Sequence, residues 1–306
     1  MKHFKLGSTN LEVPGLAVGC MRINGLKINE AERFLRTALE YGANFFDHAD
    51  IYGAGTCEEL FAKALSMNPG IRDQMILQSK CGIHPGKMFD FSKAHILSSV
   101  DAILHRLQTD YLDVFLLHRP DALMEPQEVA EAFDILHKNG KVRHFGVSNQ
   151  DPSTILLLQR YLHQPLVTNQ LQLSITNASI ITQSLNMNMP DTMAVDRDNG
   201  ILNFCRLNDI TIQAWSPFQY GFFEGVFLGN DKFPELNKTL DILADKYQVS
   251  ATTIALAWII RHPAKIIPVT GTTNIQRLKD CIKATDIQLT QEEWYAIYLA
   301  AGHRLP

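Results

Sequence analysis

The chain of 306 residues is 46% hydrophobic and 20% charged, a composition that supports a packed core and excludes an intrinsically disordered chain. Its formal net charge is −4 and its pI is about 6.3, so its overall charge gives no reason to expect binding to nucleic acid or to a membrane surface. The five cysteines include no CxxC pair, which favours reduced thiols in a cytoplasmic protein over a disulfide or zinc framework.

No segment predicts secretion or membrane insertion. The N-terminal sequence MKHFKLGSTN lacks an apolar signal core. The longest apolar stretch, Ile254 to Ile260, is far shorter than the roughly 20 residues that span a bilayer.

Strands and helices are predicted to alternate along most of the chain, after a hairpin in which His3 to Leu6 and Leu11 to Val13 flank a turn. Eight short, mostly apolar segments are predicted as strands: residues 16–20, 44–47, 75–79, 111–117, 145–147, 167–171, 211–215 and 266–269. Segments with helical spacing are residues 29–41, 58–65, 92–107, 126–138, 154–161, 201–207, 236–247, 252–261 and 274–284. A polar, helix-like tail follows from Thr290.

Eight strands that alternate with helices favour an α/β fold, a (β/α)8 TIM barrel of about 250 residues before insertions. The main competitor is a doubly wound sheet, which usually carries GxGxxG after its first strand. Strand one instead runs into Gly19-Cys20-Met21-Arg22, and Gly53-Ala54-Gly55 lacks the third glycine. We therefore expect residues 1–306 to form one barrel domain with an N-terminal hairpin.

Two predicted connections, residues 174–200 and 218–234, are longer than ordinary loops. Both follow strands, so in a barrel both lie on the active-site face, where long loops shape substrate access. The second contains three glycines and five phenylalanines, an aromatic content that favours a role in substrate access over a plain solvent loop.

Four polar residues fall at or just after the ends of consecutive predicted strands. Asp47, Lys80 and His118 end strands two, three and four, and Tyr52 lies in the loop after Asp47. The carboxyl ends of barrel strands point to one face, so these side chains are predicted to share one pocket. Each has an alternative interpretation: a strand-end cap for Asp47, a loop anchor for Tyr52, a snorkelling lysine and a structural histidine. Their joint occurrence favours a site.

The four residues suit the reduction of a carbonyl group, in which hydride reaches carbon while a proton reaches oxygen. Tyr52 would supply the proton. The ammonium of Lys80 is expected to lower the pKa of that phenol, and Asp47 to keep Lys80 charged and in place. A neutral His118 would donate an N–H to the carbonyl oxygen.

The segments NFFDHADIYG, LQSKCG and LDVFLLHRPD, which carry Asp47, Tyr52, Lys80 and His118, resemble the catalytic tetrad of the aldo-keto reductase family. GKVRHFGVSN resembles that family's fifth strand, and the resemblance covers nearly the whole chain. The segment PVTGTTN at residues 268–274 is most similar to bacterial, YdhF-type members. The resemblance implies a (β/α)8 barrel that binds NADPH without a Rossmann fold.

The resemblance also implies the nicotinamide contacts. Ser148 and Asn149 would hydrogen-bond the carboxamide, together with Gln170, and Trp215 would stack on the ring, since a flat π face orients a flat ring. Further cofactor contacts are expected from Met21, Asp47 and the start of the loop over the pyrophosphate, Ser216, Pro217 and Phe218.

The adenine end of the cofactor is predicted to lie where strand eight meets the last barrel helix. Gly271, Thr272, Thr273 and Asn274 would present free backbone N–H groups to an anion. Arg277, one turn into the helix, is placed to contact a 2′-phosphate, which favours NADP(H) over NAD(H). Asp280 matches the acidic residue that meets the adenine in the family.

We interpret the chain as an NADPH-dependent reductase of small aldehydes and ketones, and expect a cytoplasmic monomer or weak oligomer. One alternative is a Schiff-base aldolase with Lys80 as nucleophile. Another is a non-catalytic NADP(H)-binding sensor or regulatory barrel. Cys20 and Cys81 are expected to be packing residues rather than redox-active thiols. The sequence leaves open whether Asp90 and Arg119 contact a substrate.

Overall fold

The computed structural model describes residues 1–306. Eight parallel strands close into a barrel in which each strand pairs with its neighbours in the chain and the last pairs with the first. The barrel strands are β1 (Ala17–Gly19), β2 (Phe45–Asp47), β3 (Ile76–Cys81), β4 (Leu112–Leu117), β5 (Val142–Ser148), β6 (Leu166–Gln172), β7 (Thr211–Trp215) and β8 (Ile267–Thr270). The predicted TIM barrel is confirmed.

Every predicted helix is present, with bounds within two residues of those expected from the spacing. The helices are Ile28–Glu40, Thr56–Leu65, Pro69–Arg72, Lys93–Leu107, Pro126–Lys138, Pro152–Gln159, Ser179–Leu185, Ile201–Leu207, Pro234–Tyr247, Ala251–Ile260, Ile275–Lys283 and Gln291–Ala300. Side-chain caps fix several starts: the Ser92 hydroxyl accepts from the His95 N–H, and Asp151 precedes a proline at the first helical position. None of the helices is both long and apolar enough to cross a membrane.

The N-terminal hairpin, His3–Lys5 with Glu12–Pro14, closes the amino-terminal end of the barrel. Leu6 and Val13 are fully buried there against residues from the starts of the barrel strands. Gly7 has a φ of +56°, and a Cβ on it would lie 2.4 Å from a backbone oxygen of β6, so the turn requires glycine. The hairpin thus covers this end of the barrel, and the candidate site lies at the opposite, carboxyl-terminal end.

The alternation of side chains along the strands separates an apolar outer layer from a polar interior. Leu77 and Cys81 of β3 belong to the 69-residue core between barrel and helices. Gln78 and Lys80, at the intervening positions, point into the barrel, where Gln78 hydrogen-bonds across it to Gln213 and Lys80 to Asp47 on the neighbouring strand. The interior is therefore polar at the level of the strand ends, where the candidate site lies.

Candidate active site

A cavity of about 810 Å³ opens at the carboxyl ends of the strands. It extends from Asp47, Tyr52 and His118 at one end to Arg277 at the other. All the residues predicted to contact the cofactor line it except Asp280. The Asp280 carboxylate instead accepts a hydrogen bond of 3.2 Å from Gln276 on its own helix.

A buried ion pair lies at the base of the cavity, with Asp47 lining it and Lys80 beneath. The Lys80 Nζ donates to Asp47 Oδ1 at 2.6 Å, and neither side chain is more than 2% exposed. The same oxygen accepts from the amides of Gln78 at 2.6 Å and Gln170 at 3.1 Å. Burial lowers the pKa of Lys80, and the Asp47 carboxylate opposes that effect. The ammonium is thus held by a carboxylate that is itself fixed by two amides.

Tyr52 begins a short 3-10 turn after β2, and its ring centroid lies 5.2 Å from the Lys80 Nζ and 6.1 Å from the His118 ring. Burial and the Asp47 carboxylate raise the pKa of Tyr52 well above its usual value, and only Arg119 opposes this rise among the principal causes. The net shift is therefore opposite to the lowering expected from Lys80, because burial and the Asp47 carboxylate outweigh the ammonium. Tyr52 is a neutral phenol at pH 7, the protonation state that a proton donor needs.

His118 follows β4, and its side chain is 9% exposed. Burial, Lys80 and Arg119 lower the pKa of His118 well below its usual value, so the imidazole is neutral. Its Nδ1 is buried with no hydrogen-bond partner. A buried nitrogen without a partner costs less free energy as an unprotonated acceptor than as an N–H donor, so we place the ring proton on Nε2. The Nε2–H can then be donated to a ligand.

A network of three glutamines, which the sequence analysis missed, fixes the position predicted for the nicotinamide amide. The Gln213 Oε1 accepts from both Gln78 and Gln170 at 2.8 Å, and its amide returns a bond to Gln78. Gln170 thus donates its amide protons to Asp47 and Gln213, and its side-chain carbonyl oxygen stays available to accept from a ligand amide. The sequence did contain a signal for this network, because Gln78, Gln170 and Gln213 are polar residues within strands that are otherwise buried on both faces.

The side chains of Ser148, Asn149 and Trp215 contact one another at the same end of the cavity. The indole N–H of Trp215 donates to Asn149 Oδ1 at 3.0 Å, and the Asn149 amide donates to the Ser148 hydroxyl at 2.8 Å. Phe223 stacks on the indole with a centroid distance of 5.9 Å and an interplanar angle of 22°. The aromatic face predicted at Trp215 is therefore built and oriented by neighbours.

The far end of the cavity carries two arginines. Arg277 lies in the first turn of the helix Ile275–Lys283, and Arg22, which sequence reasoning missed, donates to the Gly271 carbonyl at 3.3 Å. A Cβ on Gly271 would lie 3.1 Å from that guanidinium. The first turn of a helix offers backbone N–H groups that have no intrahelical partner. The expectation of free N–H groups is wrong for Asn274, whose N–H donates to Thr272 Oγ1, and the Arg277 N–H donates to Asn274 Oδ1. The two cations and the remaining N–H groups suit an anionic group.

The two long connections differ in their relation to the cavity. The segment 218–234 supplies five lining residues: Phe218, Gln219, Phe223, Val226 and Leu228. No residue of the segment 174–200 lines the cavity, and its start supports the other segment instead, since the hydroxyls of Ser174 and Thr176 donate to the Gln219 carbonyl. The segment 174–200 also contains the helix Ser179–Leu185. Other lining residues that sequence reasoning missed are Gly19, Ile51, Ile83, Thr252, Val269 and Cys281.

The five cysteines are free and buried. Burial raises the pKa of the Cys20 and Cys81 thiols well above their usual value, so the reactive thiolate is disfavoured at both. Their expected role as packing residues is consistent with this environment.

Comparison with known proteins agrees with the fold. The model of the Aldo/keto reductase family matches residues 15–299. The solved structure of the thermostable aldo-keto reductase Tm1743, in complex with the inhibitor epalrestat, is similar with a TM-score of 0.78 and 27% identity. That similarity covers 98% of this chain and 100% of the other.

Similar sequences are found in several bacteria. The oxidoreductase YcsN of Bacillus subtilis, whose function is uncharacterised, is 38% identical over 94% of each chain. A 6-dehydroglucose reductase of Novosphingobium aromaticivorans is 33% identical over 99% of this chain and 96% of its own. The oxidoreductase YdhF of Escherichia coli is 33% identical over 89% of this chain and 88% of its own, which confirms the expected resemblance. The chain belongs to the aldo/keto reductase family.

Proposed function

We propose that this protein reduces an aldehyde or a ketone to an alcohol with NADPH, and that Tyr52 is the general acid. Members of its family are oxidoreductases that use a nicotinamide cofactor. The observation that carries the proposal is the buried Asp47–Lys80 ion pair of 2.6 Å beneath a neutral tyrosine and a neutral histidine that line one cavity.

The bound nicotinamide would supply the hydride. Tyr52 donates its phenolic proton to the substrate oxygen as negative charge develops there. His118 donates its ring N–H to the same oxygen, which stabilises that charge. Lys80 lies 5.2 Å from the Tyr52 ring and stabilises the tyrosinate that results, while Asp47 keeps Lys80 in place.

The cofactor would lie along the cavity. We propose that the Gln170 oxygen, Ser148 and Asn149 bind the carboxamide, that Trp215 contacts the nicotinamide ring, and that Arg277 binds the 2′-phosphate of NADPH. Supporting contacts are proposed from Met21, Ser216, Pro217, Phe218, Gly271, Thr272, Thr273 and Asn274, all of which line the cavity. Asp280 is omitted, because its carboxylate is engaged by Gln276.

Replacing Arg277 with Ala is expected to raise the dissociation constant of NADPH by about tenfold to a hundredfold, because a charge-assisted contact with the 2′-phosphate is lost. NADH has no such phosphate, so its dissociation constant should change much less. Fluorescence titration of both cofactors measures the difference. Lys279→Ala is the matched control, since Lys279 belongs to the same helix but packs over Tyr41 instead of lining the cavity. Equal weakening of both cofactors would contradict the phosphate assignment.

The aldolase hypothesis is disfavoured by the position of its nucleophile. The Lys80 side chain is 0% exposed, is bound to Asp47 and does not line the cavity, so a carbonyl carbon has no route to its Nζ. A Schiff base would require a neutral, accessible amine.

Oxidation of NADPH in the presence of aldehydes, ketones and dicarbonyls, followed at about 340 nm, tests the proposal. Because two relatives at 32% and 33% identity are 6-dehydroglucose reductases, the panel should include oxidised sugars. Turnover with Tyr52-dependent rates supports the reductase. Tight NADPH binding without any turnover would favour the sensor hypothesis, and trapping of substrate by borohydride on Lys80 would favour the aldolase.

We also propose that residues 1–306 form a single domain that works as a monomer or weak oligomer. One core cluster of 69 residues extends from Leu16 to Tyr298 and supports a single cooperative unit. The free thiols of all five cysteines fit the cytoplasmic location that we propose.

A further inference from the structure

Arg119 is a cation in the cavity that has no partner in the protein. It follows His118 at the end of β4, and both residues line the cavity. Its guanidinium makes neither a hydrogen bond nor an ion pair; it lies 5.4 Å from the ring centroid of Trp215 and 6.0 Å from that of Phe222. Aromatic faces orient a guanidinium but do not neutralise its charge.

The carboxylates nearest to Arg119 in the site and in the sequence are already engaged. Asp47 is bound to Lys80 and to two amides. Asp121, two residues after Arg119, uses its two oxygens to accept the backbone N–H groups of Phe91 and Leu123. In the segment 218–234, the Glu224 side chain lies against Gly221 of its own turn and forms no ion pair with Arg119. A ligand is thus left to supply the counter-charge.

The environment makes this missing counter-charge costly. Arg119 is half-buried, and burial lowers its pKa. The protein environment therefore disfavours the charged form. A guanidinium nevertheless stays protonated in proteins, so the charge remains. An anion in the cavity would offset the free-energy cost of desolvating the Arg119 guanidinium. It could also accept two parallel hydrogen bonds from the planar guanidinium group.

The position of Arg119 separates it from the groups proposed to bind cofactor phosphates. Those groups are Arg22 and Arg277, next to Gly271 at the opposite end of the cavity. Arg119 instead adjoins His118, which orients the reacting carbonyl in the proposed function. An anionic group bound at Arg119 would therefore lie next to the reacting carbonyl.

We propose that Arg119 is an anion subsite for the substrate, and that the preferred substrates are oxo acids, aldehydes or ketones that carry a carboxylate a few bonds from the carbonyl. The inference rests on the proposed reductase function and specifies its substrate class. Trp215 and Phe222 would hold the guanidinium in the plane that receives the carboxylate.

The test compares matched acids and esters: 4-carboxybenzaldehyde with methyl 4-formylbenzoate, and 4-oxobutanoate with its methyl ester. The ratio of kcat/KM for acid over ester is expected to exceed about ten in at least one pair, because a charge-assisted contact is lost in the ester. Arg119→Met should bring that ratio close to one, mainly through a higher KM for the acid. Arg119→Lys should give an intermediate ratio, since it keeps the charge without the fork.

Arg160→Met is the matched control, since Arg160 is exposed and does not line the cavity, and it should leave the ratio as in the wild type. A wild-type ratio at or below one in both pairs would overturn the inference, as would equal losses for acid and ester in Arg119→Met. A higher NADPH dissociation constant in that variant would assign Arg119 to the cofactor instead.

Failure of the proposed function gives a different result. Turnover of the esters without a preference for the acids would overturn the subsite and leave the reductase intact. If neither these four compounds nor the wider carbonyl panel is reduced, the reductase proposal fails, and calorimetric titration of benzoate against wild type and Arg119→Met still tests the anion subsite. Binding of benzoate that is independent of Arg119 would then overturn it.

Discussion

Replacing Tyr52 with Phe is expected to lower kcat for carbonyl reduction by about 10²- to 10⁴-fold, the range for loss of a general acid, while leaving the NADPH dissociation constant nearly unchanged. The ring that packs beside His118 is kept, and only the proton donor is removed. Steady-state kinetics together with cofactor titration measures the two effects separately.

A tyrosine outside the site provides the control for that substitution. Tyr41 is 45% exposed and packs under Lys279, so Tyr41→Phe should leave kcat unchanged. If Tyr52→Phe retained wild-type turnover, the proton would have to come from another group, and the proposed mechanism would be wrong.

The raised pKa of Tyr52 gives the reaction a directional pH dependence. Reduction requires the neutral phenol, and burial and Asp47 keep the pKa of Tyr52 well above its usual value. The rate of reduction should therefore not fall through this group as the pH rises from 7 to about 9. Oxidation of the alcohol requires the tyrosinate, so its rate should rise over the same interval. A decline in reduction centred near neutral pH in wild type, but absent in Tyr52→Phe, would show that the pKa is low instead.

Replacing Lys80 with Met is expected to lower the free energy of unfolding by about 3–5 kcal/mol, because the Asp47 carboxylate is left buried without its partner. Reductase activity should be lost together with the cation that stabilises the tyrosinate. Urea unfolding followed by circular dichroism measures the stability, and NADPH oxidation the activity.

A second substitution separates stability from catalysis. In Asp47→Asn/Lys80→Met both charges are gone, so we expect much of the lost stability to return while activity does not. Lys141→Met, which breaks a surface ion pair with Asp101, should change stability little. Recovery of activity in the double variant would show that the ion pair serves only the fold.

Sequence patterns predicted the barrel and the main functional positions. Short apolar runs that alternate with helical spacing specify eight buried strands, and side chains at their carboxyl ends must meet at one face. Asp47, Tyr52 and His118 therefore line one cavity, above Lys80, as expected from spacing alone. The predicted helix bounds were close because the capping residues act locally, as at Ser92.

Other features depend on contacts that no local pattern encodes. The interior bonds join Gln78 to Gln213, 135 residues apart, and Gln170 to Asp47, 123 residues apart. The segment 174–200 has the length of an access loop, yet it packs beneath the neighbouring segment instead of lining the cavity.

The sequence by itself determined the closed barrel and the strand ends that carry Asp47, Lys80 and His118, because the period of side chains and the order of elements are local properties of the chain. Tertiary structure decided the charge state of the site. Barrel closure partly buries Tyr52 beside Asp47 and so raises its pKa, and the folded chain pairs Asp47 and Asp121 with groups other than Arg119. Desolvation and pairing depend on every group that surrounds a charge, and those groups come together only in the folded chain.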